Sequence, residues 1–197
     1  RFWSWNLEPF LDLYYGEISD SLEIINPMAY TDKVNTRFHE GPICYMPDRS
    51  RVFFTRNNTG KRGEGKKDEQ GIQNLKIYYA DVTESGEWIN IKEFPVNNRE
   101  YSVGHPIVSK DGRTLYFASD MPGGIGGSDL YSVSIETGLV DLVFGTPANL
   151  GTTVNTEGQE MFPWLDTNDN LFFASDGHQG FGGLDVFTFY GEGKDKQ

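Results

Sequence analysis

The chain has 197 residues and a formal net charge of -12, so it is long enough for a sizeable core but too acidic for a typical nucleic-acid surface. Aromatic residues make up 14% of it, and 23 glycines and many polar turn residues separate short apolar runs. This composition predicts an all-β domain with tight turns and excludes a membrane-spanning helix. Cys44 is the only cysteine, which excludes an intrachain disulfide and predicts a buried apolar residue. Because the sequence begins at Arg1 without a signal-like segment, we expect it to be part of a longer chain.

Taken in chain order, the predicted strands repeat. A strand of the pattern Leu-Asp-Leu-Tyr-Tyr opens the chain at 11–15 and returns, with variations, at 75–80, 129–133 and 184–189. Each of the last three copies is preceded by a polar turn and another strand, at 48–57, 111–120 and 168–176. Outer strands are predicted at 87–91 and 139–143.

A further matched element lies upstream of each polar turn. The pairs Asn35-Thr36, Asn98-Arg99 and Asn155-Thr156 are separated by 63 and 57 residues. Such a period suits four antiparallel strands per repeat and predicts a partial β-propeller of about three and a half four-stranded blades. The blades are predicted to divide the chain at 1–33 (the end of one blade and a linker), 34–94, 95–146 and 147–197. A twisted sandwich of irregular strands is the alternative fold.

Two loops share one spacing of acids and glycines. Asp120 and Asp129 bound the first loop, Asp176 and Asp185 bound the second, and each loop has a Gly-Gly pair just before its second strand. Glycines let such a loop fold tightly and bring its two carboxylates together, which suggests a cation or sugar-hydroxyl site. The structural alternative is that each aspartate caps a turn through neighbouring N–H groups.

The corresponding loop of the earlier repeat, at 57–74, is longer and basic. It carries Lys61, Arg62, Lys66 and Lys67 in an otherwise acidic chain, which makes it a candidate contact with an anionic partner. The alternative is a mobile, solvated insertion.

The remaining residues that carry chemistry do not form a catalytic pattern. His39, His105 and His178 come from different repeats without metal-ligand spacing, and His105 beside Pro106 suggests the entrance to a strand. We therefore predict no enzyme activity, no metal and no cofactor, although propeller folds can support a hydrolase. The aromatic segment 1–10 suggests either a glycan platform or packing between blades.

Several of these motifs together resemble a known family. Residues 35–42, 55–58, 104–106, 111–124, 155–157, 175–178 and 182–185 closely resemble the TolB-like propeller repeats of OmpA-family outer-membrane lipoproteins. In that family the propeller lies between a tetratricopeptide region and an OmpA-like peptidoglycan-binding domain. Some members are peptidoglycan-associated subunits of the type IX secretion and gliding apparatus.

The resemblance implies a periplasmic, outer-membrane-associated scaffold that binds other envelope proteins. Contact with peptidoglycan would come through an OmpA-like domain, and membrane association through a lipid anchor, both outside this sequence. No nucleic acid is expected as a partner. The competing hypothesis is a glycan- or cation-binding propeller, based on the two aspartate-glycine loops and the aromatic first segment.

Overall fold

The computed structural model describes residues 10–60 and 64–190, which form fourteen β-strands and no helix. No segment of these ranges therefore has the long apolar helix that a membrane crossing needs. The strands form four antiparallel sheets in chain order. The first sheet contains β1 (Tyr14–Ile18) and β2 (Ile24–Ala29), and the second contains β3 (Glu40–Tyr45), β4 (Arg51–Asn57), β5 (Leu75–Val82) and β6 (Trp88–Glu93). The third contains β7 (Val103–Val108), β8 (Thr114–Ser119), β9 (Asp129–Thr137), β10 (Leu142–Phe144) and β11 (Ala148–Asn149), and the fourth contains β12 (Glu160–Leu165), β13 (Leu171–Ser175) and β14 (Asp185–Phe189).

The all-β class predicted from composition is confirmed. Within each of the last three sheets, strands that are adjacent in sequence pair with one another, except that β11 does not pair with β10. The four sheets fall inside the segments 1–33, 34–94, 95–146 and 147–197, apart from β11. That short strand lies in the last segment but pairs with β9 of the third sheet, so the connection to the fourth sheet begins as part of the third.

Alternating apolar residues explain why the middle strands form. In β8, Leu115 and Phe117 point to one face and are fully buried, and in β13 Leu171 and Phe173 occupy the corresponding positions with 4% and 3% exposure. This period of two is the strand pattern, since successive side chains point to opposite faces. The sequence therefore sets which face of each sheet meets its neighbour.

Hydrophobic side chains from successive sheets pack together in three clusters. Between the second and third sheets lie Phe53, Ile77, Tyr79, Phe94, Val103, Phe117 and others, with Phe144 against them. The first and second sheets share Val52, Phe54, Tyr78 and Trp88 with Leu13 and Tyr30, and the third and fourth share Ala118, Leu130, Val154, Leu171 and Phe173. Cys44 is buried as predicted, and burial raises the pKa of its thiol. The sheets are thus stacked face to face, each one burying the face of the one before it.

A β-bulge interrupts the first strand of each complete repeat. The residue before the strand proline has positive φ in all three cases: Gly41 at 104°, His105 at 56° and Phe162 at 50°. The strand register shifts at the same places. The prediction that His105 marks a strand entrance is therefore wrong, because His105 lies inside β7, where the bulge re-aims its backbone.

An asparagine holds each sheet to the connection that follows it. The side-chain amide of Asn35 accepts from the N–H of Leu13 and donates to its carbonyl, at 2.8 and 2.9 Å. Asn155 does the same to Leu130 at 2.8 and 3.0 Å. We call this pair of hydrogen bonds the asparagine clasp.

In the middle connection, Asn97 and not Asn98 forms the clasp. Asn97 bonds the N–H and carbonyl of Ile77 at 3.0 and 2.7 Å, while Asn98 is exposed and accepts only from the N–H of Glu100. The predicted alignment of Asn98 with Asn35 and Asn155 is therefore wrong by one residue. Asn97 lies one residue further from the strand that follows it, β7, than Asn35 lies from β3 and Asn155 lies from β12.

Candidate functional site

The two aspartate-glycine loops connect the second and third strands of the third and fourth sheets. The connections that carry the clasps lead into β7 and β12, and the loops follow the antiparallel strands β8 and β13. The loops and the connections therefore lie at the same end of each sheet. Polar side chains from several repeats consequently meet at this end of the stack. It is the candidate functional site.

In the first loop, Asp129 is a buried acceptor for its own loop. Its carboxylate accepts from the N–H groups of Ile125 and Gly126 at 2.5 and 3.0 Å, and from the side-chain amide of Asn149 at 2.7 Å. It is 1% exposed. A side chain at Gly126 would lie 2.1 Å from the carbonyl oxygen of Thr156, so this glycine lets the loop contact the next connection.

The second loop repeats this arrangement in a more exposed setting. Asp185 accepts from the N–H groups of Phe181 and Gly182 at 2.6 and 3.1 Å. Gly182 has φ of +116°, a conformation that side-chain-bearing residues rarely adopt. The glycines of this loop therefore shape the turn that the carboxylate caps.

The first aspartate of each loop has a different partner. Asp120 accepts from the N–H of Ser102 at 2.6 Å, and Asp176 accepts from the N–H of Gln159 at 2.7 Å. Ser102 and Gln159 are the residues just before β7 and β12, the first strands of the third and fourth sheets. The two carboxylates of a loop thus hold separate backbone segments. Asp129 and Asp185 accept from neighbouring N–H groups as the structural alternative describes, whereas Asp120 and Asp176 accept from N–H groups 18 and 17 residues away.

A ligand at these loops stays a prediction. Across residues 10–60 and 64–190, no three or more histidine, cysteine, aspartate or glutamate side chains are grouped so as to hold a metal ion. Any cation would have to compete with the backbone N–H groups that already occupy Asp129 and Asp185.

The described part of the basic loop is held by hydrogen bonds to a buried aspartate. Asp68 is buried and accepts from the N–H groups of Gln70 and Ile72 and from the amide of Asn74. Asn74 in turn donates to the carbonyl of Arg99 at 2.9 Å. The loop is therefore fixed to the following connection.

Two of the four predicted contact residues lie in the described part of this loop. Lys66 and Lys67 are exposed, and the carbonyl of Lys67 accepts from Arg99 at 2.8 Å. Lys61 and Arg62 lie outside the described residues. The described part of the loop thus exposes two basic side chains next to a hydrogen-bonded backbone.

The three histidines each bridge neighbouring segments. Nδ1 of His39 accepts from the N–H of Leu11 at 3.1 Å, and Nε2 of His178 lies 2.8 Å from the carbonyl oxygen of Val154. His105 stacks on Phe162 of the fourth sheet with ring centroids 4.0 Å apart and accepts from its N–H. Burial lowers the pKa of His105 to about 4, so this imidazole is neutral at physiological pH.

A cleft between the first and second sheets was missed by sequence reasoning. It has a volume of about 430 Å³ and is lined by Tyr15, Tyr30, Tyr45 and Trp88 together with polar residues of the 85–87 turn. The hydroxyls of Tyr30 and Tyr45 are 3.3 Å apart, and the indole N–H of Trp88 donates to Tyr45. Its residues come from separate segments, so only the general aromatic richness of the chain pointed to it.

The predicted aromatic platform at 1–10 lies outside the described residues except for Phe10. That ring packs against Phe38 and His39, with centroids 6.0 and 5.0 Å away. Phe10 therefore contributes to packing between the start of the chain and the second sheet.

Fold and site together define an all-β protein of repeated antiparallel sheets in which the aspartates of the two glycine loops accept from backbone N–H groups and the three histidines contact backbone groups. No protein-family model matches the chain, and no curated protein matches it in sequence. Among solved structures, the crystal structure of TolB from Acinetobacter baumannii aligns with 86% of this chain at 14% identity and a TM-score of 0.47. The aligned chain spans 34% of that protein. A similarity of this size does not transfer a role.

Proposed function

We propose that the chain is part of a β-propeller that works as a non-catalytic protein-interaction scaffold. We place this scaffold in the periplasm, in an outer-membrane-associated complex anchored to peptidoglycan through a domain outside this sequence. The type IX secretion and gliding apparatus is the specific complex that we propose. The motif resemblance supports this assignment, and the successive stacked antiparallel sheets support the propeller architecture.

The observation that carries the scaffold role is the exposure of apolar side chains on the first and last sheets. Every residue of β1 and β2 is exposed, including Ile18 at 72% and Ile24 at 73%. On the fourth sheet Trp164 is 54% exposed and Val186 is 76% exposed. Exposed apolar patches of this kind mark surfaces that bind other proteins.

The chemistry of the polar residues also supports a binding role. Asp129 and Asp185 accept from loop N–H groups, and the three histidines contact backbone groups across segment boundaries. Groups committed to such bonds stabilise structure and are not free to act as general acids, bases or nucleophiles.

The proposal is tested by retrieving partners from envelope extracts with the purified chain as bait. Ile18 and Ile24 are cross-strand partners at the turn end of the β1–β2 hairpin, so a variant with I18S and I24S removes two exposed apolar side chains without touching the core. The matched control is L139S with V140S, which replaces two residues that are 108% and 91% exposed at the β9–β10 turn.

Native chain and control should enrich the same outer-membrane or peptidoglycan-associated proteins, identified by mass spectrometry, and the patch variant should enrich less of them. Recovery of no envelope protein, or equal recovery by all three baits, would contradict the proposal.

The aromatic cleft favours a second candidate function, glycan binding. Tyrosine and tryptophan rings stack on sugar faces, and the hydroxyls of Tyr30 and Tyr45 can exchange hydrogen bonds with sugar hydroxyls. Calorimetry with soluble muropeptides tests it, with Y15A as the cleft variant because Tyr15 is 47% exposed. Heat that is lost in Y15A would support this function, and no heat from the native chain would remove it.

A further inference from the structure

A small cavity lies between the third and fourth sheets, at the end of the stack that carries the glycine loops. It has a volume of about 250 Å³, and Leu75 of the second sheet lines one side of it. Ala118 and Ser119 also line it and are 5% and 2% exposed, whereas Asp120 at its edge is exposed. A cavity that holds a whole small molecule usually measures about 300–1,000 Å³, so this one suits a single side chain. We call it the Asp120 pocket.

The negative charge of Asp120 is not needed for the hydrogen bond that its side chain makes. Asp120 accepts from the N–H of Ser102 at 2.6 Å. In the second sheet Asn57 occupies the equivalent position, since each of the two follows the residue that pairs with the first residue of its sheet. Asn57 accepts from the N–H of His39 at 3.0 Å, so a neutral amide makes the same bond. The fold alone therefore does not explain the carboxylate at the edge of the pocket.

The hydroxyls that line the Asp120 pocket offer acceptor lone pairs and no free proton. Ser102 donates to Oδ1 of Asn74 at 3.1 Å, and Ser119 donates to the carbonyl of Ser102 at 2.7 Å. Ser128 donates to the carbonyl of Glu160 at 3.4 Å. A serine hydroxyl has one proton and two lone pairs, so these three have already used their protons within the protein. They can only accept from a bound group.

The charge of the pocket points in the same direction. Among the described residues that line it, Asp120 alone is ionised at neutral pH, because burial lowers the pKa of His105 to about 4. The pocket therefore combines one negative charge with acceptor hydroxyls. Leu75 and Met161 add apolar walls. This combination fits a cation with several N–H donors on an aliphatic stem.

We propose that the Asp120 pocket binds the side chain of a lysine from a protein partner. The lysine ammonium has three donors for the carboxylate and the hydroxyls, and its four methylene groups can lie along Leu75 and Met161. Arginine fits less well, because a guanidinium binds a carboxylate best through both oxygens and one oxygen of Asp120 already accepts from Ser102. This inference rests on the scaffold role proposed above and names the chemistry of its partner.

Titration of the isotope-labelled chain with the peptide acetyl-Ala-Lys-Ala-amide, followed by NMR, tests the proposal. The backbone amide resonances of Gly104, Gly127 and Gln159 report on the pocket, and they should shift and saturate with this peptide. The same peptide with an acetylated lysine side chain should bind at least about tenfold more weakly, as the loss of a charge-assisted hydrogen bond requires. The arginine peptide should also bind more weakly than the lysine peptide.

Asp120→Asn is the pocket variant, because Asn57 shows that an asparagine accepts the same backbone bond. Glu84→Gln is the matched control, since it removes one negative charge from the exposed turn between β5 and β6 and does not line the pocket. Asp120→Asn should weaken binding of the lysine peptide at least about tenfold, and Glu84→Gln should leave it unchanged. Unchanged resonances outside the pocket show that a variant keeps its fold, and the acetylated peptide tests the role of charge on the native chain in any case.

The proposal is overturned if the lysine peptide at millimolar concentration shifts none of the three resonances, or if the acetylated or arginine peptide binds as tightly. Equal weakening by Asp120→Asn and Glu84→Gln would also overturn it, because only the overall charge would then matter.

Failure of this proposal and failure of the scaffold role give different results. If the native chain and Asp120→Asn retrieve the same amounts of envelope proteins, the lysine pocket is overturned and the scaffold role stands. Saturable binding of the lysine peptide without retrieval of any envelope protein would support the pocket and contradict the scaffold role.

Discussion

Replacing Asn97 with alanine should destabilise the chain by about 2–4 kcal/mol, whereas the same change at the neighbouring Asn98 should cost at most about 1 kcal/mol. Comparing the two variants shows whether Asn97, as in the structure, or Asn98, as the sequence spacing suggests, holds the connection to the sheet. Both variants replace one asparagine in the same connection.

The magnitude follows from what each side chain bonds. Asn97 makes two hydrogen bonds to Ile77, and Ile77 is 0% exposed, so its N–H and carbonyl would be left buried without these partners. Each lost bond costs about 1 kcal/mol, and each unsatisfied buried group adds about 1–3 kcal/mol before the structure relaxes. Asn98 is exposed and accepts one bond from Glu100, which water can replace.

Urea unfolding followed by tryptophan fluorescence measures the difference, provided that the denaturant slope is the same in all three proteins. An Asn97→Asp variant keeps the acceptor but loses the donor to the Ile77 carbonyl, so it should lie between the native chain and the alanine variant. A destabilisation by Asn98→Ala equal to or larger than that by Asn97→Ala would refute the clasp as the element that joins the sheets.

Three further predictions concern titratable groups. Calcium should not raise the melting temperature of the chain, and Asp129→Asn should lower it because the hydrogen bonds from the loop N–H groups become weaker. A rise with calcium that Asp129→Asn abolishes would instead support a cation site at this loop. Burial opposes ionisation of Asp141, yet Lys92 and Tyr79 hold its pKa below the usual range, so its contribution to stability is present at neutral pH and lost as pH falls through that lowered pKa. The cost of Asp141→Asn, measured by urea unfolding, should therefore shrink at acidic pH, and a constant cost would contradict this. The pKa of His105 falls from 6.5 to about 4 on folding, so the native chain should lose stability as pH drops between these values, and His105→Asn should lose less over the same interval.

The strand repeat was predictable because its signal is local. Period-two alternation in 111–120 and 168–176 depends only on side chains that point to opposite faces, and the polar turns end each strand. The exact register of the connections was not predictable from spacing. An extra residue after Asn97 shifted the apparent match to Asn98, and the valine that precedes each clasping asparagine is the signal that would have corrected it.

The candidate site was predictable in composition but not in partners. The sequence shows that Asp129 and Asp185 follow glycine loops, but only the folded chain shows that their carboxylates accept loop N–H groups. The bulge at His105 could not be predicted from the sequence, because the positive φ before the proline depends on how β7 pairs with β8. The aromatic cleft needs residues from the first two sheets, which no local pattern brings together.

The third and fourth sheets carry different residues at one equivalent buried position, valine in one and glutamate in the other. Glu160 in β12 and Val103 in β7 lie opposite Ser175 and Ser119 in the same register, and both are 0% exposed. The carboxylate of Glu160 accepts from the N–H and hydroxyl of Thr156 and from the hydroxyl of Ser175. In the third sheet, Ser119 instead donates to the carbonyl of Ser102, so no acceptor is needed at Val103.

The change Glu160→Val should therefore destabilise the chain by about 3–5 kcal/mol, although valine fits the equivalent position. Its cost comes from donors left without an acceptor, so removing them as well with T156A and S175A should recover part of the loss. Urea unfolding of the single, double and triple variants gives the coupling energy. If the costs simply add, the carboxylate acts through its volume alone. If they couple, the Glu160 carboxylate is needed as the acceptor for the Thr156 and Ser175 donors.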